Sequence, residues 1–291
     1  MALAVVGTTT ELAALAEQTY GVSLHRKANW DRVVTSQFVE PEVLADGYGK
    51  AVNIGVVDTA TSNTLAGSTT GDLNNLTFNQ DTETSVAISP TRLYSALQLS
   101  PSARSRFLRS EDFRAKKGAQ LRAAIAAAVD VTGATLASSL SQTVGGAGQD
   151  ISDSLLASAL ALLTKNAKEY FRPGKTRAYL YVTPMQVDNV ILQANWNNAQ
   201  VRGDGSSAVA SGWTNDAYNI AMQPSGNVYT SAGIAYNLLH VKGSHYLCWW
   251  EQIHQMEPQI HGVDTFLIAT GEHGEAEIDD DLGVAVLTQD V

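Results

Sequence analysis

Phosphate binding is the first chemistry the residue types suggest, because Gly174, Lys175 and Thr176 form the tripeptide that closes many phosphate-cradling loops. Such a loop needs a glycine five positions before the Gly-Lys pair, so that successive backbone N–H groups wrap the phosphates. That position holds Glu169, whose carboxylate repels them. The loop must also follow a strand and open a helix. Here the alternation Ala178, Leu180, Val182 comes after the tripeptide, so the stretch reads as a turn that feeds a strand.

Metal binding is the second candidate. His240, His245, His254 and His261 cluster in sequence with Glu251, and Glu251 and His254 stand three apart, as in carboxylate-bridged metal pairs of helix bundles. Those sites need a second such pair and two more glutamates on facing helices, and the second pair is absent. The histidines therefore read as surface or interface residues, with Trp249 and Trp250 beside Cys248 as packing. A metal-dependent hydrolase using this cluster is kept as a rival reading. The run Asp279, Asp280, Asp281 suits a hard cation but lacks a glutamate at the right offset, and reads as a solvated turn between two final strands. A strained Gly-x-Ser-x-Gly nucleophile turn is missing from GDGSSAVASG, and no strand precedes the glycines at Gly145 to Gly148. The reading is of a protein with no cofactor and no catalytic residues.

Charge distribution says more. Arg92, Arg104, Arg106, Arg109, Arg114, Lys116, Lys117 and Arg122 crowd one stretch against only Glu111 and Asp112, whereas no Lys or Arg follows Lys242. A positive segment and a negative one in the same chain suit copies that meet head to tail, with Arg104, Arg106, Arg109 and Arg114 facing Asp279, Asp280 and Asp281. The net charge of −10 argues against nucleic-acid binding over the whole surface. Charged residues make up only 16 % of the 291, which suits a surface largely covered by neighbours. The one cysteine, Cys248, fits a reducing compartment, no apolar run approaches the roughly 20 residues of a membrane span, and the first ten residues lack signal-peptide features. Synthesis and use in a cytoplasm follow from these features.

The elements that must position these groups fall in a clear order. A short helical pattern through Leu12, Leu15, Ala16 and Thr19 leads into an extended stretch around Phe38, Val39, Val43 and Leu44. KAVNIGVV and LTFNQDTETSVAIS alternate on either side of a polar run, which reads as a long two-stranded excursion with a tip near Gly67 to Gly71. A hairpin of that length cannot bury its own faces and needs something to lie on. Ser110 to Thr143 carries a helical stripe of Leu121, Ile125, Val129, Leu136 and Leu140, with Ser110 as N-cap and Glu111 and Asp112 in the first turn. At 1.5 Å per residue the whole segment would run about 45–50 Å, with Gly118 and Gly133 interrupting it. A second helix over residues 151–170, capped by Asp150 or Ser152, puts Leu155, Leu156, Leu160 and Leu163 inside. AYLYV then makes a strand, Pro184 starts a helix, and the remainder alternates strands and turns.

In that order the pieces resemble the major capsid protein of tailed bacteriophages, the Hong Kong 97-type fold. RAYLYVTPMQVDNVIL is similar to a recurrent strand–Pro–helix piece of that family's axial domain, and FRAKKGAQLRAAIAAAVD resembles its spine helix, with Asp130 as the aspartate near the middle. The resemblance covers nearly the whole chain, in order and texture rather than through one invariant motif. It implies an α+β fold with an N-terminal arm (1–47), an extended hairpin loop (48–89), a peripheral domain with the long spine helix (90–150) and an axial domain (151–261). Strands in 262–291 would return to the peripheral domain.

It further implies pentamers and hexamers that close into an icosahedral shell around packaged double-stranded DNA, assembled in a bacterial host cytoplasm. Arm and hairpin then reach over adjacent subunits. A portal and a decoration protein are further partners the family implies. Nothing in the sequence resembles a charged coiled coil before the arm, so a separate scaffolding protein is expected. Some relatives crosslink through a hairpin lysine, whereas the only lysine of this excursion, Lys50, stands at its base, which argues against covalent chainmail. An encapsulin-like nanocompartment shell shares the fold and is the nearer rival.

Overall fold

Two side-chain periods, about 3.6 on helices and 2 on strands, lay out the core. The computed structural model describes residues 32–41, 51–57, 83–100, 110–168, 170–173, 175–192, 216–217, 219–255, 259–261 and 264–290, with 103, 107 and 109. In chain order the strands are β1 (Val52–Val57), β2 (Glu83–Ile88), β3 (Thr91–Leu99), β4 (Thr143–Gly145), β5 (Ala178–Val182), β6 (Asp216–Ala217) and β7 (Ile220–Pro224). They continue with β8 (Tyr229–Ser231), β9 (Ile234–Val241), β10 (His245–Gln255), β11 (Gln259–His261), β12 (Asp264–Glu277) and β13 (Gly283–Gln289). The helices are α1 (Glu111–Thr135), α2 (Asp153–Ala167) and α3 (Gln186–Ile191), so the fold is α+β.

The larger sheet runs β4-β13-β9-β5-β7-β6, with β8 on β9, and mixes parallel and antiparallel pairs. Alternation sorts its two faces. Ala178, Leu180 and Val182 of β5 join Leu239 and Val241 of β9, and Val284 and Val286 of β13, under α2 residues Leu156, Ala159 and Leu163. Tyr181, Leu238 and Ala285 point the other way, into the cluster built on α1 residues Leu121, Ile125 and Val129. That second cluster is closed by Leu247 and Ile253 of β10 and Leu267 and Ala269 of β12.

The smaller sheet centres on β12, which pairs antiparallel with β3 on one edge and with β10 and β11 on the other. Residues 245–255 lie in the smaller sheet with β12, whereas β13 lies inside the larger one. Both pairings bury strands whose apolar runs fit either sheet equally well. Partner choice is therefore a long-range decision that no local window carries.

Ser110 caps α1 as expected, its Oγ accepting from Phe113 N at 3.3 Å. The helix is shorter than the apolar stripe, however: it stops at Thr135, about 37 Å for 25 residues, and continues only as the 3₁₀ turn Leu136–Ser138. Beyond Val131 the hydroxyls compete for the backbone, with Thr132 Oγ1 on Ala128 O (3.0 Å), Thr135 Oγ1 on Thr132 O (2.6 Å) and Ser138 Oγ on Thr135 O (2.7 Å). Gly118 and Gly133 do not interrupt the helix; both are buried on its packed face. Residues 111–138 are long and apolar enough by composition to cross a membrane, contrary to the sequence reading, because alanine raises the mean hydropathy. Leu121, Ile125 and Val129 are instead spent on the protein core.

The hairpin strands β1 and β2 pair antiparallel from Val52↔Ile88 to Val57↔Glu83, as two alternating runs require. One face of the base packs: Ile88 is buried, and Val52 and Ile54 rest against Cys248, Trp250, Tyr246, Ala276 and Ile278 of the smaller sheet. Asn53, Gly55, Ser85 and Ala87 on the other face are exposed. Lys50, Gly67 and Gly71 lie outside the described residues.

Candidate functional site

The most densely bonded polar site gathers around a strap, residues 32–41, laid across α1 and both sheets. Its 3₁₀ turn, Thr35–Gln37, has no side-chain cap of its own, so its first N–H groups need acceptors from elsewhere. Asp130 supplies them from a distance in sequence. Its Oδ2 accepts from Val33 N (2.8 Å) and Val34 N (3.1 Å), and its Oδ1 accepts from Thr35 N and Thr35 Oγ1 (2.8 Å each). Asn227 Nδ2 adds a fifth donor at 3.3 Å. All five are donors, which suits an ionised carboxylate that can only accept. The side chain is fully buried, so this satisfaction is what makes an acid tolerable in the helix's apolar stripe.

Three further contacts hold the strap. Thr35 sits over Gly133, where an added Cβ would stand 2.3 Å from Thr35 Cγ2, so only glycine allows the strap this close. Phe38 stacks on His245 (ring centroids 5.0 Å) and meets His240 edge-on at 5.6 Å. Val39 bridges β10, donating to His245 O at 3.0 Å and accepting from Leu247 N at 2.9 Å. At the strap's start the Arg32 guanidinium pairs with Glu40 at 2.7 Å and lies over Trp249, 5.6 Å from the ring centroid.

Titratable groups under the strap are held neutral or strained by burial. Burial lowers His240 to about 4 against a smaller opposing pull from Val241 O, and burial and then His240 push His245 well below the ordinary range. Tyr181 is pushed up by burial and by the Asp130 charge. Glu275 is raised by burial, offset in part by His273, whose Nδ1 lies 3.2 Å from its Oε1.

The residues singled out in sequence scatter. Lys175 N and Thr176 N both bond Arg172 O, at 3.0 and 2.9 Å, a turn that feeds β5 as expected; Glu169 and Gly174 lie outside the described residues. The histidines divide: His240 and His245 are buried together, whereas His254 faces outward beside Glu251 at 3.3 Å, with Arg92 at 3.9 Å from that carboxylate. His261 pairs with Asp264 in strand register, and among the described residues no group of three or more His, Cys, Asp or Glu is set to hold a metal ion. Reading the histidines as surface residues fails for His240 and His245, whose ring faces are covered by Phe38, Tyr179 and Tyr181.

The basic run also divides. Arg109 is exposed, Arg114 donates to Phe107 O at 3.2 Å, and Arg122, read as part of the charged face, is wholly buried. Arg104 and Arg106 lie outside the described residues. Of the acids, Asp279 caps its own turn at Asp281 N (3.0 Å), and Asp280 accepts from Ser141 N (2.9 Å) and from the Ser141 hydroxyl. Asp281 is the exposed one. Sequence reading missed the strap contact of Asp130; the signal was an acid one residue after Val129, with Gly133 three positions further on.

The same turn yields a pH prediction. Burial first, then the hydrogen bond and charge of Asp280, raise Glu277 from 4.5 to about 7. The folded state keeps this proton between about 4.5 and 7 where the unfolded chain has lost it, so the stability present below 4.5 falls across that window and is fully lost above 7. Glu277→Gln should therefore raise the melting temperature at pH 8 and leave it nearly unchanged at pH 5, read by calorimetry. An equal shift at both values would assign the effect to packing.

No family model matches the chain, and a search of curated proteins finds no match. Solved structures do match. The capsid structure of cyanophage P-SCSP1u superposes with a TM-score of 0.66 at 12 % identity, over 89 % of each chain. A structure of Mycobacterium phage Che8 gives 0.65 at 15 %, over 88 % of this chain and 90 % of the other. A virus-like particle from Pyrococcus furiosus gives 0.57 at 9 %, over 92 % and 98 %. The chain has the fold of these shells, over nearly its whole length.

Proposed function

We propose that this chain, which carries the tailed-phage capsid fold of the Hong Kong 97 type, is a major capsid protein that self-assembles into the icosahedral head of a tailed phage. The observation that carries the reading is reciprocal coverage: about nine-tenths of this chain matches about nine-tenths of the phage head chains, so no large part is left over for another task. In this reading the protein is structural and does no catalysis. It forms pentamers and hexamers in a bacterial cytoplasm, with a separate scaffolding protein and a portal, around double-stranded DNA, and a decoration protein binds outside.

The packing of the ribbon supports this. Among the described residues, Ile88, Val52 and Ile54 seat the base of β1–β2 on the chain's own sheet, and a two-stranded ribbon needs a surface to be stable. A neighbouring subunit supplies that surface. Head-to-tail contacts that close into rings would set the exposed Arg109, with Arg104, Arg106 and Arg114, against Asp281 of the next copy. Asp279 and Asp280 contribute to that edge only as framework, since their carboxylates are used within the turn.

The purified chain, co-expressed with its scaffold, should form rings, shells or tubes visible by negative-stain electron microscopy. A stable monomer at high concentration in sedimentation would overturn the reading. An encapsulin-like compartment is the second reading; the virus-like particle from Pyrococcus furiosus matches at a lower TM-score than the cyanophage capsid. The particle contents separate the two: DNA packaged through a portal for the first, a protein cargo without a portal for the second.

A further inference from the structure

We propose that the strap is a proton-gated latch, in which acid frees residues 32–41 from the body by charging the buried pair His240 and His245 that Phe38 covers. This does not depend on what the protein assembles into.

The geometry fixes both rings in their neutral form. His240 Nδ1 lies 3.2 Å from Val241 O and 3.1 Å from Ser244 Oγ. A carbonyl only accepts, so His240 Nδ1 carries the proton and donates to both. The Ser244 hydroxyl is then left to donate to His245 Nδ1, at 2.6 Å. His245 thus holds its own proton on Nε2, and adding one at Nδ1 turns the Ser244 bond around, so that Oγ accepts from both rings and its own hydroxyl hydrogen loses its partner. Both side chains have zero exposure, and among the described residues neither is hydrogen-bonded to a carboxylate.

Among the described residues the neighbouring charges are otherwise engaged. From α1, Asp130 is taken up by the strap's own N–H groups, and from the strap Arg32 is paired with Glu40. From β5 come Tyr179 and Tyr181, whose rings lie against His240. From β12, Glu277 stands opposite His245 in register but is bonded to Ser139, and Glu275 is turned to His273. Among the described residues a charge on either histidine therefore has no buried partner, and the cover that can leave without dismantling a sheet is Phe38. Among the described residues the strap's backbone joins β10 at Val39, an isolated parallel bridge, and its other contacts to that strand are the side chains of Phe38 on His245 and Arg32 over Trp249.

The sign follows from linkage. Both histidines are lowered by burial, so the docked state binds fewer protons than the released one. Docking is undiminished above about 6.5, the ordinary histidine value, and weakens as pH falls from there toward 4. Glu275 acts the other way: burial raises it, so acid favours the docked state at that group. Two groups against one leave a net uptake of about one proton on release, worth up to about tenfold in the docking equilibrium per pH unit.

Hydrogen exchange of the full chain, corrected for intrinsic rates, tests this between pH 7.5 and 4.5. Peptides covering 32–41 should lose protection by several-fold, and up to about tenfold, per pH unit below 6.5, while those of β5 and β9 keep theirs. His240→Gln with His245→Gln should flatten the strap's response, and Glu275→Gln alone should steepen it. If the double variant does not fold, ring titration of the wild-type histidines by NMR decides: proton uptake must coincide with loss of strap protection. Strap protection unchanged to pH 4.5, loss shared equally by β5 and β9, or an unaltered response in a folded double variant would each overturn the proposal.

Discussion

Replacing Asp130 with alanine should release the strap and lower folding stability by about 3 kcal/mol, the largest single-residue effect outside the apolar core. The carboxylate is the acceptor for three consecutive backbone N–H groups and one hydroxyl, all at 2.8–3.1 Å. A buried donor left without a partner costs about 1–3 kcal/mol, and four such groups would exceed the strap's own docking energy. The strap therefore leaves rather than pay in full, which caps the loss. Urea denaturation measures the change, and hydrogen exchange at Val33, Val34 and Thr35 locates it. Asp112→Ala, in the first turn of the same helix and exposed, should stay within about 0.5 kcal/mol. Unchanged protection at those three amides in Asp130→Ala would mean that Phe38 and Val39 hold the strap without it.

Gly274→Val should leave the subunit folded while lifting the ribbon from its seat and blocking assembly. A Cβ at this position would stand 2.4 Å from Ser89 O, 2.9 Å from Ile88 Cγ2 and 3.0 Å from Trp250. The first of these is backbone and cannot swing aside, so β12 and the β2–β3 corner must part. Overpacking of this kind costs about 1–3 kcal/mol, less than the stability of an ordinary domain. The pairing of β12 with β3 and β10 is otherwise untouched. Thermal unfolding should show the modest loss and sedimentation the missing assembly. Gly271→Ala is the control on the same strand: its nearest contact is 3.4 Å, ordinary van der Waals distance, and it should melt and assemble as the wild type does. Normal shells from Gly274→Val would detach the ribbon's seating from assembly.

What the sequence by itself determined was local. Ser110 and Ser152 cap α1 and α2 because a hydroxyl before a periodic run has N–H groups three residues on to satisfy. Ala178, Leu180 and Val182 face α2, and the two runs around the ribbon pair, because alternation is a property of a few consecutive residues. The order of these pieces was enough to suggest the shell fold. Only the tertiary structure decided which acids and bases meet. Asp130 reaches a strap some 95 residues earlier, Arg122 turns into the core, and His240 and His245 share one serine beneath Phe38. It also sent β12 and β13, neighbours in sequence, into different sheets. The reason is the same in each case. A window of sequence carries the period and the cap, whereas a buried charge or a strand edge is satisfied by whatever residue the rest of the chain brings to it.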